Sequence, residues 1–310
     1  MKLFGTQVWR AIAPVVLLPM MPACSTGSFE GLKKHAAHAV AVLQRDHDPD
    51  SLAAAALVHG SYMFGNDPDS ALPLIARATA AAPDRADLAW LHLTICQQRP
   101  SCDSGPLEAR LRSLDPANGA AWLGEVDRAW IRKDDEATNK ALRAISQTAQ
   151  VDIYTTTLKA RLTPKIAEAG SIPLDEASIA VTGALAGETV SSYPSVSHAC
   201  KGDRLTQPEV LESCQGVARA FENGDSFTTE MVGVVIAKRV WPEDSPQWKA
   251  AAEARRVYEY RSQLVLEIDS TPNAMSMERY MALCSQYRRE QEVVRAEIVA
   301  AGKNPDPPVP

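Results

Sequence analysis

The stretch that decides the fold runs from residue 49 to residue 83 and reads PDSLAAAALVHGSYMFGNDPDSALPLIARATAAAP. Two alanine-rich halves flank the polar turn 65–70. Alanine has the highest helix propensity, and aspartate or serine caps helix starts, so each half predicts a helix. Pro83 closes the stretch because proline cannot continue a helix. The stretch therefore predicts two helices folded back on each other as a hairpin.

The same pattern returns in residues 84–116 and 118–149. Equivalent positions recur at intervals of 33 residues, in the sets Ala71, Ser104 and Ala137; Ile75, Glu108 and Ala141; and Ala78, Leu111 and Ala144. One hairpin cannot bury its apolar face alone, so hairpins with such a period stack on one another. The sequence therefore predicts stacked helix hairpins over residues 50–150. A helical bundle without repeats is the alternative.

This segment resembles the tetratricopeptide repeat family. The matching residues are Tyr62, Ala71, Ile75, Ala78 and Pro83 in the first unit, Trp90, Leu111 and Pro116 in the second, and Trp122, Ala137, Ala141 and Ala144 in the third. The resemblance implies that the first helix of each unit lines an inner surface that binds a protein or peptide. The large polar or aromatic residues expected to contact that partner are His59, Tyr62, His92, Glu125 and Arg128. Plain solvation of these side chains is the alternative.

The rest of the chain also predicts helices, which makes the expected fold class all-α. Residues 24–49 form an N-terminal segment with a first helix, and residues 151–301 form a C-terminal helical region with a loose connection over 170–195. Within that region we expect helices over 208–221, 226–241, 246–269 and 276–301. The ending 302–310, rich in proline, predicts a disordered tail.

The N-terminus predicts an export signal over residues 1–23. Lys2 and Arg10 precede an apolar run of signal-peptide length, which is too short to span a bilayer. The sequence Met-Pro-Ala-Cys at 21–24 resembles the lipobox of bacterial lipoproteins, which implies that Cys24 is lipidated and becomes the mature N-terminus. Ser25 after that cysteine resembles the sorting signal for the periplasmic face of the outer membrane. An ordinary secretory signal cleaved nearby is the alternative.

Five further cysteines follow Cys24. An exported chain meets an oxidising compartment, so pairing is expected. The two pairs close in sequence, Cys96 with Cys102 and Cys200 with Cys214, are the expected disulfides. Cys284 lies in a helical pattern and is expected to be a buried thiol.

Composition and motifs favour a binding protein over an enzyme. The formal net charge is −6 without a basic stripe, which argues against nucleic acid as a partner. The sequence carries no catalytic motif and no metal-ligand spacing, so no cofactor and no metal are expected. We therefore expect a lipid-anchored scaffold for envelope assembly or secretion, or an immunity-type lipoprotein. The alternative is an envelope enzyme with its site in the C-terminal half.

Overall fold

The computed structural model describes residues 26–61, 64, 66–189, 192–271 and 274–308. Over these residues the fold is all-α, as the sequence predicted, with 15 helices and no strand. The first seven helices are α1 (Thr26–Leu43), α2 (Pro49–Gly60), α3 (Pro68–Ala81), α4 (Ala86–Gln97), α5 (Gly105–Leu114), α6 (Leu123–Ile131) and α7 (Asp135–Ser146). The other eight are α8 (Thr155–Gly170), α9 (Leu174–Thr189), α10 (Tyr193–Ala199), α11 (Pro208–Glu222), α12 (Phe227–Val240), α13 (Pro246–Asp269), α14 (Met277–Gln286) and α15 (Glu290–Ala300). Short 3₁₀ turns span Gly119–Trp122 and Gly202–Thr206.

Helices α2 to α7 form three consecutive pairs, in which α2 packs on α3, α4 on α5 and α6 on α7. Aspartate side chains begin three of these helices. Asp48, Asp67 and Asp134 each accept a hydrogen bond from the backbone N–H three residues later, at 3.0, 3.1 and 3.0 Å. Such caps satisfy N–H groups that the first helical turn leaves unpaired. The helices therefore pair across the polar turns that the sequence shows.

The inner side of these pairs is filled by the chain itself. Helix α8 packs against α1, α2, α9 and α14, α9 also packs against α2 and α4, and α10 packs against α6. As a result α2 is buried on nearly every side from Ser51 to Val58. A helix that is apolar all round belongs inside a protein, which explains the alanines of α2. The expected open inner surface is therefore occupied by the protein's own helices.

Three sequence predictions in the second half are wrong. The loose connection predicted over 170–195 contains the regular helix α9, and α8 continues through Pro164, where the proline predicts an interruption of the helix. The single helix expected over 276–301 is divided into α14 and α15. The division occurs where the Glu290 N–H donates to the Asp225 backbone oxygen at 2.8 Å, a long-range contact that draws the chain out of the helical path.

Residues 303–308, part of the tail 302–310 that the sequence predicts to be disordered, lie against α13 in the structure. Pro305 is buried, and Lys303 pairs with Glu267 on α13 at 2.8 Å. An extended proline-rich segment makes no hydrogen bonds of its own, so its carbonyl groups are free to accept bonds from a neighbour. Side chains of α13 supply those bonds.

The cysteines pair as expected. Cys96 joins Cys102 and Cys200 joins Cys214, with Cα–Cα separations of 5.5 and 5.6 Å. Cys284 is buried and unpaired. The first bridge closes the turn between α4 and α5, and the second ties the end of α10 to α11. Cys24 and the predicted signal peptide lie outside the described residues.

Candidate functional site

The residues predicted to contact a partner are separated by the structure. His59 and His92 are half-buried on α2 and α4, and Tyr62 lies outside the described residues. The His92 Nδ1 atom is 3.2 Å from the Thr79 hydroxyl, and burial lowers the pKa of this imidazole. Glu125 accepts a hydrogen bond from Arg112 at 3.0 Å. Their role in binding stays a prediction, and their described contacts are within the chain.

Arg128 is engaged with a buried carboxylate. Its NH2 atom is 2.8 Å from Oε1 of Glu108, whose side chain is only 3% exposed. Ser104 also donates to that carboxylate oxygen, at 2.9 Å. A buried charge needs a partner of opposite sign and hydrogen bonds. Arg128 therefore neutralises Glu108 inside the fold.

An open cleft of about 530 Å³ lies where the α6–α7 turn meets the 3₁₀ turn at Gly202–Thr206. Its lining consists of two large apolar side chains, two cations, a carboxylate and a hydroxyl, namely Trp130, Ile131, Lys133, Asp135, Thr138 and Arg204. Ile131 is 70% exposed, the highest value among the exposed large apolar residues of the described chain. Together with Trp130, Ile131 forms a small apolar patch rimmed by polar residues, the arrangement that marks interaction sites. We name this surface the α6–α7 cleft.

The floor of the α6–α7 cleft is held rigidly. The Trp130 ring stacks on His198 with centroids 6.3 Å apart, and the Arg204 guanidinium lies 5.7 Å from the Trp130 ring centroid. Arg204 also pairs with Asp135, and it donates to the Asn139 side-chain oxygen at 2.5 Å and to the Ala199 carbonyl at 3.1 Å. A cation over an indole face is favourable, and these bonds fix it there. Cys200 is the next residue after Ala199, and its disulfide with Cys214 fixes the backbone beside the floor of the cleft.

The electrostatics of the cleft suit binding by an apolar side chain with an acidic neighbour. Partial burial lowers the pKa of His198, and the charges of Lys201 and Arg239 lower it further. The Asp135 carboxylate is committed to Arg204, and the Thr138 hydroxyl donates to the Asp134 backbone oxygen at 2.7 Å. Lys133 at the rim remains to meet an acidic group of a partner.

A second polar cluster joins the two halves of the chain and is enclosed. The Asp225 carboxylate accepts the Ile153 and Thr155 backbone N–H groups at 2.8 and 2.6 Å. Burial and the neighbouring Asp152 raise the pKa of Asp225 well above its usual range. Arg288 pairs with Asp152 at 3.1 Å. These contacts lock the start of α8, the α11–α12 turn and the α14–α15 break together.

The C-terminal half also holds carboxyl groups with raised pKa values, the kind of group an enzyme site uses. Burial raises the pKa of Glu222 and of Glu297 to about 7 in each case, and burial raises that of Glu230. None of the three lines the α6–α7 cleft. Within the described residues no group of three or more His, Cys, Asp and Glu side chains is placed to hold a metal ion.

Sequence reasoning missed the α6–α7 cleft. Its local signal is Trp130-Ile131 immediately before the polar run Arg-Lys-Asp-Asp, since two large apolar residues seldom stand at the solvent end of a helix. The contribution of Arg204 has no sequence signal, because it lies 69 residues from its partner Asp135.

In comparisons with known proteins, no family model, curated protein sequence or solved structure matches this chain. No described helix combines the length and apolar character needed to cross a membrane.

Proposed function

We propose that this chain is a lipid-anchored helical scaffold of the bacterial cell envelope that binds a protein or peptide partner. The α6–α7 cleft carries the binding part of this proposal, because it presents the exposed Ile131 beside a rigid aromatic floor. The lipobox-like sequence at Cys24 and the two disulfides support a site outside the cytoplasm. An envelope-assembly or secretion accessory and an immunity-type lipoprotein both fit, and the partner's identity separates them.

The partner expected at the cleft inserts an apolar side chain against Trp130 and Ile131. Interface energies concentrate in such buried aromatic and aliphatic contacts, while charges at the rim select the partner. Lys133 at the rim favours an acidic residue beside the inserted side chain. Because the cleft lies open at the turn of the third helix pair, binding requires no opening of the filled inner side.

Photo-crosslinking at the cleft tests the binding proposal. A photoreactive phenylalanine analogue in place of Ile131 should capture one predominant partner in living cells. The matched control replaces Val299 on α15, another exposed aliphatic residue at 56% exposure, and should not yield that adduct. With the partner purified, Ile131→Asp should weaken binding at least tenfold while leaving the melting temperature unchanged. Absence of an adduct at position 131, or the same adduct at 299, would overturn the assignment.

Labelling with radioactive palmitate tests the anchor. The wild-type chain should incorporate the label, and Cys24→Ser should abolish incorporation and release the protein from the membrane fraction. Cys284→Ser is the matched control, because that thiol is buried in the folded chain. Equal labelling of the Cys24→Ser variant would contradict lipidation at this cysteine.

A further inference from the structure

Residues Lys303–Pro308, which we call the strap, lie extended along α13. Contacts at its two ends and near its middle fix the direction: Lys303 meets Glu267 at 2.8 Å, the Tyr260 hydroxyl donates to the Asn304 carbonyl at 3.3 Å, and Arg256 donates to the Pro308 carbonyl at 2.9 Å. The residue numbers of the contacts fall along α13 as they rise along the strap, so the strap runs antiparallel to the helix. Glu267 to Arg256 spans roughly 16 Å at the helical rise, and five residues of polyproline II cover about the same length. The strap therefore follows the helix as an extended segment.

Arg261 binds the middle of the strap. This residue is 8% exposed, and its Nε atom donates to the Pro305 carbonyl at 3.0 Å. Its NH1 atom donates to the Gln291 side-chain oxygen at 3.1 Å, which orients the guanidinium, and its NH2 atom meets Asp306 Oδ1 at 3.3 Å. The planar guanidinium of Arg261 thus binds the Pro305 carbonyl and the Asp306 carboxylate at the same time.

In the remaining contacts the strap supplies hydrogen-bond acceptors, and side chains of α13 and α15 supply the donors. Arg295 on α15 lies 3.4 Å from both oxygens of Asp306, which therefore faces two guanidinium groups. Proline residues at 305, 307 and 308 have no N–H group, so they present carbonyl groups without an unpaired donor. Pro305 is buried against this face, which we name the strap face and define by Arg256, Tyr260, Arg261 and Arg295.

We propose that the strap face is a binding site for extended proline-rich segments of a partner that carry an acidic residue between prolines, and that the strap closes this site in the isolated chain. The seated sequence Pro-Asp-Pro shows the ligand chemistry directly. Preformed polyproline segments lose little entropy on binding, which makes them common recognition elements. The site is separate from the α6–α7 cleft and does not depend on it.

The connection to α15 explains why the site is closed. The helix ends at Ala300, and Gly302 adopts a φ of 74°, which turns the chain back at once. A tether this short gives the strap an effective concentration on the order of millimolar or higher. A partner segment must therefore outcompete the strap, and weakening the strap should open the site.

Peptide binding to the full chain tests the proposal. The probe is a fluorescein-labelled peptide with the sequence of residues 302–310, followed by fluorescence anisotropy. The full-length variant Pro305→Gly/Asp306→Lys removes the buried ring and reverses the charge opposite Arg261 and Arg295. This variant should bind the peptide at least tenfold more tightly than the wild-type chain. A probe with lysine in place of the aspartate should bind it at least tenfold more weakly.

Variants of the strap face supply the controls. In the Pro305→Gly/Asp306→Lys background, Arg261→Lys should weaken peptide binding at least tenfold. Arg255→Ala should leave it unchanged, because Arg255 pairs with Glu259 on the exposed side of α13. The milder Asp306→Ala variant, with its melting temperature measured, should give an intermediate affinity and serves if the double variant does not fold.

Three results would overturn the proposal. The first is a folded variant with a weakened strap that does not bind the peptide. The second is equal binding by the wild-type chain, which would place the peptide elsewhere. The third is a dimer in sedimentation analysis that excludes the peptide, which would assign the strap face to the strap of a second copy.

Discussion

At the scale of single residues, Glu108 shows how the repeat tolerates a charge in its core. The equivalent residues 33 positions before and after it are Ile75 and Ala141, and all three are buried. Arg128 makes this position acceptable by pairing with the carboxylate. The sequence showed both residues, but their pairing depends on how α5 and α6 meet, which no local pattern reveals. The sequence alone therefore predicts a surface contact for Arg128.

Arg128→Ala should destabilise the chain, because it leaves the Glu108 carboxylate buried without its counter-ion. Since the Arg128 side chain is 40% exposed, we expect a loss of about 2 kcal/mol in the free energy of unfolding, below the range for fully buried pairs. Urea denaturation measures this loss. Glu108→Ala/Arg128→Ala should recover much of it, since alanine occupies the equivalent position in the third unit. A double variant as unstable as the sum of the single variants would show that the pair is not coupled.

Glu297 should make stability depend on pH. Burial and the nearby Asp269 raise its pKa from 4.5 to about 7 in the folded chain. The folded state therefore holds this proton more tightly than the unfolded state, and stability falls as the pH rises from about 4.5 to 7. Glu297→Gln should remove part of this decline, on the order of 2 kcal/mol between pH 5 and pH 8.

Urea midpoints of the two proteins at both pH values measure the effect. Glu297→Gln should retain a smaller slope, because burial also raises the pKa of Glu222 to about 7. Identical pH profiles for the variant and the wild type would show that Glu297 titrates normally.

At the scale of helices, most boundaries could be predicted where capping residues and prolines mark them. The prediction for 246–269 matches α13 at both ends, and Pro208 begins α11 as expected. The break at 287–289 lacks proline and glycine, so no local pattern predicts it. It depends on long-range bonds, including Thr156 to the Arg288 carbonyl at 2.7 Å. Helix α9 was missed because serine, threonine and glycine lower local propensity while tertiary burial overrides it.

The turns inside the helix pairs show a related regularity. Asn66 and Lys133 both adopt left-handed backbone conformations, with φ of 51° and 57°, directly before the capping residues Asp67 and Asp134. The second pair has Arg99-Pro100 at the equivalent place, and proline cannot adopt a positive φ. There the Cys96–Cys102 disulfide closes the turn instead. The left-handed turn thus occurs in the first and third helix pairs, and a disulfide takes its place in the second pair.

Gly216→Ala should loosen the contact between α11 and α7. A Cβ atom on Gly216 would lie 2.5 Å from the Ser146 Cβ and 2.9 Å from its carbonyl oxygen, so the helices must move apart. We expect a loss of about 1–3 kcal/mol. The matched control is Gly31→Ala on α1, where nothing lies within 4 Å of the new atom. That change should be neutral or stabilising by up to about 1 kcal/mol, since alanine favours the helix.

Thermal unfolding of both glycine variants checks the difference. Equal melting temperatures for the Gly216→Ala variant and the wild type would mean that α11 and α7 separate at little cost.

At the scale of the whole molecule, the C-terminal half completes the core of the helix pairs. Helices α8 and α9 cover α2, and α9 also reaches α4. The composition predicted an all-α protein, and the period predicted paired helices. Neither indicated that the inner side would be filled, because the residues that fill it, such as Leu158 and Leu162, read as an ordinary amphipathic helix. The sequence therefore predicts partner-binding residues on a side of the pairs that the structure fills with α8 and α9.

A fragment of residues 26–150 should fail to fold cooperatively. Without α8 and α9 the buried face of α2 meets water, including Leu52 and Leu57, which are 2% and 1% exposed in the full chain. Calorimetry should show one cooperative transition for the full chain and none for the fragment, which should bind a hydrophobic dye. A fragment that melts cooperatively near the temperature of the full chain would contradict this view of the core.

The filled inner side has a consequence for how such a gene can change. Open arrays lengthen or shorten by duplicating or deleting one unit, because a new unit meets only its neighbours. Here α8 must reach from α1 and α2 to α14, so an inserted 33-residue unit would separate surfaces that one helix has to touch at once. The copy number of the repeat is fixed by geometry, and its sequences are free to diverge from one another.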